Sequence, residues 1–354
     1  MASDPEARTF HGAESSSGEH CADENDRIDE GFEDIRQDEA LLALEQEYLV
    51  LSSILPLHRA KALASSPDAL CGSATHGGEA FRAGGGTDAM YGEMGFWAMA
   101  SILRAVELHG GLPATPGDFV DLGSGSGLAV AAAGLLRPHA WGRLRGVENS
   151  APLHAASLGV AEAYAARRPR PAAPDLELEE GDAAQVSLEG ATLVLAHCTA
   201  FSDALLHAIA LQAAAMRPGA WVVTLTRPLP VAAASGWDII EARRRTVSWG
   251  AATVFLHRRR LPDAGPPTCT RVAEGTTAEA VADDADPSYR SQVWFNCRSC
   301  GLIGSDGICA ICASICHAKC EGLEFAAHSP FFCDCEGSRV SSSACQCREQ
   351  SCSS

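Results

Sequence analysis

The strongest constraint on this chain is the stretch Phe119-Val120-Asp121-Leu122-Gly123-Ser124-Gly125-Ser126-Gly127, followed by the apolar run Leu128 to Leu136. Two β-prone residues lead into an acid, and glycine then recurs at every second position before the apolar run begins. That order predicts a strand, a tight turn and a helix packed back on the strand. Glycines let the backbone approach a ligand closely, and the start of a helix presents unpaired N–H groups. A dinucleotide site needs Gly-x-Gly-x-x-Gly. Here Leu128 or Val130 stands where the third glycine belongs, so a nicotinamide cofactor fits poorly.

The sequence around this turn alternates strands and helices. Arg143 to Glu148 predicts a second strand ending in an acid, and Glu148 lies 21 residues past Gly127. At about that distance, roughly 20 residues on, a carboxylate can accept both hydroxyls of a ribose. A helix over 150–167 leads to a strand over Leu176 to Glu180 and then to Gly181-Asp182, with Asp182 placed to accept from an adenine amino group. A fourth strand, Ala191 to Ala196, opens into His197-Cys198-Thr199-Ala200-Phe201, and a helix over 203–216 stops at Pro218-Gly219. The fifth strand is Trp221 to Thr226. Two strand-like runs, Asp238 to Ser248 and Ala252 to Arg258, are joined by the short turn Trp249-Gly250. Upstream, Leu41, Leu42, Leu44, Tyr48, Leu49 and Leu51 recur at helical spacing from about Asp38 and read as a core helix. Residues 65–90 read as a flexible Gly-, Ser- and Ala-rich stretch that ends in Tyr91-Gly92-Glu93, and a helix follows over Phe96 to His109. The whole predicts an α/β fold, a parallel sheet closed by an antiparallel hairpin. Ligands on such sheets sit at the carboxyl ends of the strands, where Asp121, Glu148, Asp182 and the 197–201 segment converge.

Charge and cysteine are both unevenly spread. Residues 1–48 carry 15 acids and 3 bases, residues 49–261 carry 18 of each, and residues 262–354 carry 12 acids and 6 bases. A neutral globular middle is thus flanked by acidic ends, which argues against a basic nucleic-acid patch and suits a basic protein partner. Residues 1–37 have the composition of a disordered tail. No apolar run approaches the ~18 residues that a membrane span needs. MASDPEARTF has neither the basic start nor the apolar core of a secretory signal, so an intracellular protein is expected. In that setting the cysteines, twelve of fifteen of them from Cys269 onward, read as metal ligands rather than disulfides.

Gly-x-Gly-x-Gly preceded by an acid resembles the S-adenosylmethionine (SAM) site of class I methyltransferases. Tyr91-Gly92-Glu93, Asp121 through Gly127, Gly146-Val147-Glu148 and Gly181-Asp182 further resemble, in order and spacing, the non-SET histone-lysine methyltransferases of the disruptor-of-telomeric-silencing class. Met216-Arg217-Pro218-Gly219-Ala220 and Arg227-Pro228 are similar too. The resemblance covers about residues 80–260 and implies a seven-stranded class I sheet, SAM as cofactor and a lysine amine of a protein, a histone or another basic protein, as acceptor. It assigns Glu93, Asp121, Gly123, Ser124, Gly125, Glu148 and Asp182 to the cofactor, and Tyr91, Glu93, Cys198 and Phe201 to the methyl-transfer channel. It also favours the nucleus over the cytoplasm. The family places Asn-Asn-Phe-x-Phe after the fourth strand, whereas His197-Cys198-Thr199-Ala200-Phe201 stands here, with Cys198 as a wall residue. The methyltransferase domain is expected to span 38–261.

Residues 262–268 form a linker expected to leave the two flanking cores independent. Beyond it, Cys297-x2-Cys300 and Cys309-x2-Cys312 are knuckles in which two thiolates can reach one tetrahedral ion. Aliphatic residues are scarce around them, so zinc binding and folding should be one event. Phe295-Asn296-Cys297-Arg298-Ser299-Cys300, Gly307-Ile308-Cys309-Ala310-Ile311-Cys312, Cys316-His317 and Phe331-Phe332-Cys333-Asp334-Cys335 resemble a UBR-type zinc finger over about 269–347, ahead of a short tail, 348–354. That resemblance implies Cys269, Cys297, Cys300, Cys309, Cys312, Cys316, His317, Cys320, Cys333, Cys335 and Cys345 as ligands, with two of three ions sharing a cysteine. A PHD-like cross-brace of two ions is the alternative, though Cys333-x-Cys335 departs from its closing C-x2-C.

Overall fold

In a computed structural model of the chain, the described residues are 35–66, 91–169, 171–230, 236–262, 290–320, 322–331 and 333–335. Most of the expected tail 1–37, the greater part of the 65–90 stretch, the linker beyond Pro262, Cys269, Cys345 and the tail 348–354 lie outside them.

Seven strands form one sheet: β1 (Gly117–Leu122), β2 (Trp141–Glu148), β3 (Leu176–Glu180), β4 (Ala191–Ala196), β5 (Trp221–Leu225), β6 (Trp237–Val247) and β7 (Gly250–Arg259). Their spatial order is β3-β2-β1-β4-β5-β7-β6. β1 to β5 run parallel, and β7 enters antiparallel to both β5 and β6. The order reverses beside β1, whose partners are β2 on one side and β4 on the other. Such a switch point opens a crevice at the carboxyl ends of these strands.

The helices are α1 (Glu39–Ile54), α2 (Leu57–Ala64), α3 (Phe96–Leu108), α4 (Leu128–Leu136), α5 (Ala151–Arg167) and α6 (Asp203–Ala213). Asp38 caps α1 by accepting from the amides of Ala40 and Leu41. Strand alternation divides the core into two layers. Phe119, Leu193, Leu195 and Val223 face α1, α3, α4 and α5, while Val120, Val194 and Val222 face α6. α1 is a core helix, with Leu51 and Leu55 buried and the Tyr48 hydroxyl donating to the Met94 carbonyl at 3.3 Å. α2 is an element the sequence does not announce, and α6 ends at Ala213, a turn short of the 203–216 expected.

The cysteine-rich part forms a small antiparallel sheet, order β10-β8-β9, from β8 (Arg290–Cys297), β9 (Ile308–Cys309) and β10 (Leu323–Phe331), with one short helix, α7 (Ala310–Ile315). It does not stand apart. Ala242 and Phe255 of the β6–β7 hairpin join the finger's own cluster of Val293, Phe295, Leu302 and Ile308. Phe255 meets Phe325 edge to face at 4.8 Å, and the Ala242 amide donates to Nδ1 of His328 at 3.2 Å. The expectation of two independent cores is corrected by this shared packing. β7 alternates Val254 and Leu256 toward one side with Phe255 toward the other, so its outer face needs an apolar cover.

Candidate functional site

The turn after β1 holds its three glycines in left-handed backbone, with φ of +80° at Gly123, +53° at Gly125 and +79° at Gly127. Side chains at these positions would be strained. Space gives a second reason, since a Cβ on Gly125 would lie 2.5 Å from the Tyr91 hydroxyl. The amides of Gly123 and Ser124 donate to the Val147 carbonyl at 2.8 and 3.0 Å, which ties the turn to β2. Glu148, at the end of β2, accepts from the Gly125 amide with one oxygen and from the Ser150 amide with the other, both at 2.9 Å. Burial pushes its carboxyl up from the ordinary range, and the amide bonds oppose that rise.

Asp121, at the end of β1, is 1% exposed, and burial followed by repulsion from Glu148 pushes its pKa to about 8. Its Oδ1 has no hydrogen-bond partner among the described residues. A buried acceptor left open beside a second carboxylate calls for a cation. The ammonium and sulfonium of SAM are cationic, and its ribose offers the hydroxyls that Glu148 can accept. These residues therefore fit SAM. Asp182 sits at the end of β3, but its carboxylate caps the turn 183–185, accepting from the Ala184 amide at 2.9 Å and from the Gln185 side chain at 3.3 Å.

Tyr91 and Glu93 close over the glycine turn. The Tyr91 hydroxyl donates to Glu93 Oε1 at 2.9 Å and accepts from the Ser126 amide at 3.2 Å. Burial, reinforced by the Glu93 charge, raises the Tyr91 phenol well above its ordinary value, so it stays protonated, and burial also raises Glu93. The sequence reading missed what anchors this element. The Glu93 amide donates to Ser248 Oγ at 2.8 Å, the Ser248 amide returns to the Glu93 carbonyl at 3.2 Å, and Trp249 covers Gly92 so closely that a Cβ there would lie 1.8 Å from its ring. Ser248 and Trp249 form the β6–β7 turn, which looked in the sequence like an ordinary hairpin end. His197, 6.3 Å from Trp249 between ring centroids, is held neutral by burial with a pKa of about 4.

Phe201 reaches the turn, where a Cβ on Gly123 would touch its ring at 3.4 Å. Cys198 does not face the same space. Its side chain lies in the core layer beneath β4, the thiol donates to the Ala196 carbonyl at 3.3 Å, and burial pushes its pKa up to about 12. The placement of Cys198 in the channel is thus corrected, because the 198–200 turn rotates it inward. Thr199 takes the outward position, its hydroxyl 2.8 Å from that of Thr226. Thr226 has φ of +67°, an uncommon conformation for a β-branched residue.

Nine of the eleven expected metal ligands are described, and they form three groups: Cys297, Cys300, His317 and Cys320; Cys309, Cys312 and Cys333; and Cys312, Cys316 and Cys335. Within each group the ligand atoms lie within 4.8 Å of one another. Cys300 and Cys320 are 3.7 Å apart between sulfurs, and Cys300 Sγ is 3.3 Å from His317 Nδ1. A tetrahedral zinc with Zn–S bonds of ~2.3 Å sets its sulfurs roughly 3.8 Å apart, so the geometry fits the ion. Burial, with the neighbouring thiols adding to it, pushes Cys300 up to about 12, a cost that a cation would relieve. Cys312 belongs to two groups. Cys269 and Cys345 lie outside the described residues.

The strand order, the glycine turn and the acids at the ends of β1 and β2 define a class I SAM-dependent methyltransferase fold, followed by a cysteine cluster suited to zinc. No protein-family profile matches the chain. It is 38% identical over 60 residues to the auxin transport protein BIG of Oryza sativa subsp. japonica, and 43% identical over 47 residues to a probable E3 ubiquitin-protein ligase of Dictyostelium discoideum. These stretches are 17% and 13% of this chain but about 1% of the length of either relative. Similar solved structures include TrmN from Thermus thermophilus, with TM-score 0.37, 19% identity, and 48% of this chain and 51% of that one covered. The ribosomal protein L11 methylase of Lactobacillus delbrueckii subsp. bulgaricus gives 0.31 and 18%, covering 46% of this chain and 78% of its own. The rRNA methyltransferase aviRa of Streptomyces viridochromogenes gives 0.34 and 18%, covering 50% and 90%. At TM-scores this low the likenesses add nothing to the strand order and turn geometry, on which the fold assignment stands.

Proposed function

We propose that this protein is a SAM-dependent protein methyltransferase directed at lysine, with a UBR-type zinc finger that recruits its substrate or a partner. The observation that carries the reading is the Tyr91 hydroxyl bridging Glu93 and the Ser126 amide, because it closes the Tyr-Gly-Glu element over the glycine turn. Glu148 would hold the ribose, Asp121 the cationic end of the cofactor, and Gly123, Ser124 and Gly125 its close backbone approach. Bound SAM would supply a methyl group on a sulfonium, an electrophile that a neutral lysine nitrogen could take up with the C–S electron pair staying on sulfur and the nitrogen's proton leaving to solvent. Tyr91, Glu93, Trp249 and Phe201 would shape the channel, exclude water and align the acceptor. Tyr91 is held protonated, which supports alignment rather than proton abstraction as its role, and the buried, protonated Cys198 supports no covalent step.

The shared Cys312 supports three ions with a bridged pair, the arrangement the UBR-type resemblance implies, over a two-ion cross-brace. Among the described residues, Cys297, Cys300, His317 and Cys320 make a four-ligand group suited to a closed structural zinc site, and Cys269 and Cys345 would complete the other two. A second reading makes the finger the function and the sheet its scaffold, and the likeness of one stretch to a probable ubiquitin ligase favours it. Transfer of tritium from labelled SAM to core histones, nucleosomes or proteins of a cell extract tests the first reading. Label on a protein band that is lost in Glu148→Ala supports it, and SAM binding without transfer to any protein favours the second.

A further inference from the structure

His197 stands one residue past the end of β4, whose Ala196 pairs with Leu122 of β1. Gly123 follows Leu122, so His197 lies level with the glycine turn on the neighbouring strand. We propose that His197 accepts a hydrogen bond from the N–H of the methyl-accepting nitrogen and so orients that nitrogen toward the cofactor. This rests on the SAM-dependent reading above and adds to it a residue that touches the acceptor.

Three observations lead there. The first is place. The His197 ring lies 6.3 Å from Trp249 between centroids, and Trp249 covers Gly92 of the Tyr-Gly-Glu element. Phe201, four residues further along the chain, reaches Gly123 from the same end of β4. His197 is thus joined through Trp249 to one element that closes on the turn, and along the backbone to the other. The second observation is that the imidazole is open. Among the described residues neither ring nitrogen of His197 has a hydrogen-bond partner, and the side chain is only partly buried. His257, by contrast, has Nδ1 3.0 Å from the Val222 carbonyl and accepts from the Leu229 amide with Nε2 at 3.1 Å. The polar side chains nearby are engaged as well, the Tyr91 hydroxyl with Glu93 and the Ser126 amide, and Thr199 with Thr226. An imidazole left open beside the expected methyl donor calls for a partner from the ligand. The third is charge. Burial holds the ring neutral, with a pKa of about 4, so near neutral pH one nitrogen keeps a lone pair and can accept. The same low value makes His197 a poor base toward an ammonium. Its part is therefore to orient, and the proton lost by the acceptor goes to solvent. With one N–H held by His197, the acceptor's own lone pair is left to form the C–N bond while the C–S bond breaks and its electrons stay on sulfur.

The test needs no protein substrate. S-adenosylhomocysteine lacks the methyl group, whereas sinefungin carries an amine in its place. The two share their adenine, ribose and amino-acid ends, so contacts with Glu148 and Asp121 cancel in the ratio of their affinities. Calorimetry on the full, zinc-loaded chain should show sinefungin binding more tightly than S-adenosylhomocysteine. That preference should fall about tenfold in His197→Phe, which keeps a ring but has no acceptor for the charged amine. His197→Ala, which removes the ring without crowding its neighbours, should lose the preference to the same extent. His197→Asn restores a side-chain acceptor and should keep more of it. S-adenosylhomocysteine should bind wild type and all three variants alike, which also shows that the variants are folded. The same preference in wild type, His197→Phe and His197→Ala overturns the proposal. An equal loss of both compounds in His197→Phe and His197→Ala overturns it too, because it places the ring against the part of the cofactor that the two share. Failure of wild type to bind either compound sinks the SAM-dependent reading itself, and the proposal with it.

Discussion

The amide of Gly125 and the carboxylate of Glu148 meet at 2.9 Å across 23 residues of chain, so one bond links the glycine turn to the acid proposed to hold the ribose. Glu148→Ala should therefore cost SAM binding about 2 kcal/mol or more, through two lost ribose hydrogen bonds to a charged acceptor. Glu148→Gln keeps an acceptor for one amide and should lose less. Titration calorimetry reads both, and an unchanged affinity would move the cofactor elsewhere.

Asp121 should make the free protein less stable as pH rises. Its carboxyl stays protonated in the folded state up to about pH 8, whereas in the unfolded chain it ionises from about pH 4. Between those values the unfolded state binds fewer protons, so stability falls with increasing pH across that window. Asp121→Asn should flatten the slope seen by denaturant unfolding at the two ends of it. If SAM presents its ammonium to Asp121, binding near neutral pH should also release protons in the wild type and fewer in the variant. Calorimetry in buffers of different ionisation enthalpy counts them.

Gly92→Ala should be damaging because of Trp249. The new methyl would enter the space of the indole ring, 1.8 Å from its nearest atom, and must displace the ring or the Tyr-Gly-Glu backbone. A stability loss of about 1–3 kcal/mol is expected for such overpacking, with a larger fall in methyl transfer. The pair Gly92→Ala, Trp249→Ala should recover much of the stability in a double-mutant cycle. Additive losses would mean that the clash is relieved elsewhere.

Elemental analysis of the full chain should find close to three zinc ions, given three ligand groups with Cys312 common to two of them. Chelation should lower the melting temperature of the whole protein, not only of the finger. The reason is that Ala242 and Phe255 of the methyltransferase sheet are buried in the finger's cluster. A firm count of two ions, or a methyltransferase transition untouched by chelation, would contradict this arrangement.

Much of the seven-stranded half is legible in the sequence because its signals are local. Alternating apolar strands, glycines at every second position and acids at strand ends are read from neighbours along the chain, and the strands β3 and β4 fall at the residues expected. The Cys-x2-Cys knuckles are legible for the same reason, since two thiolates three positions apart can reach one ion. The tertiary structure decided what depends on residues far apart. Cys198 and Thr199 are adjacent, and only the geometry of the turn after β4 put the thiol in the core and the hydroxyl against Thr226. Ser248 and Trp249 lie more than 150 residues from the Tyr91-Gly92-Glu93 element they anchor, and no pattern along the chain announces that contact. The docking of the finger is of the same kind. Apolar alternation says that Phe255 must be covered, but the identity of the cover, Phe325, emerges only when two distant segments pack together.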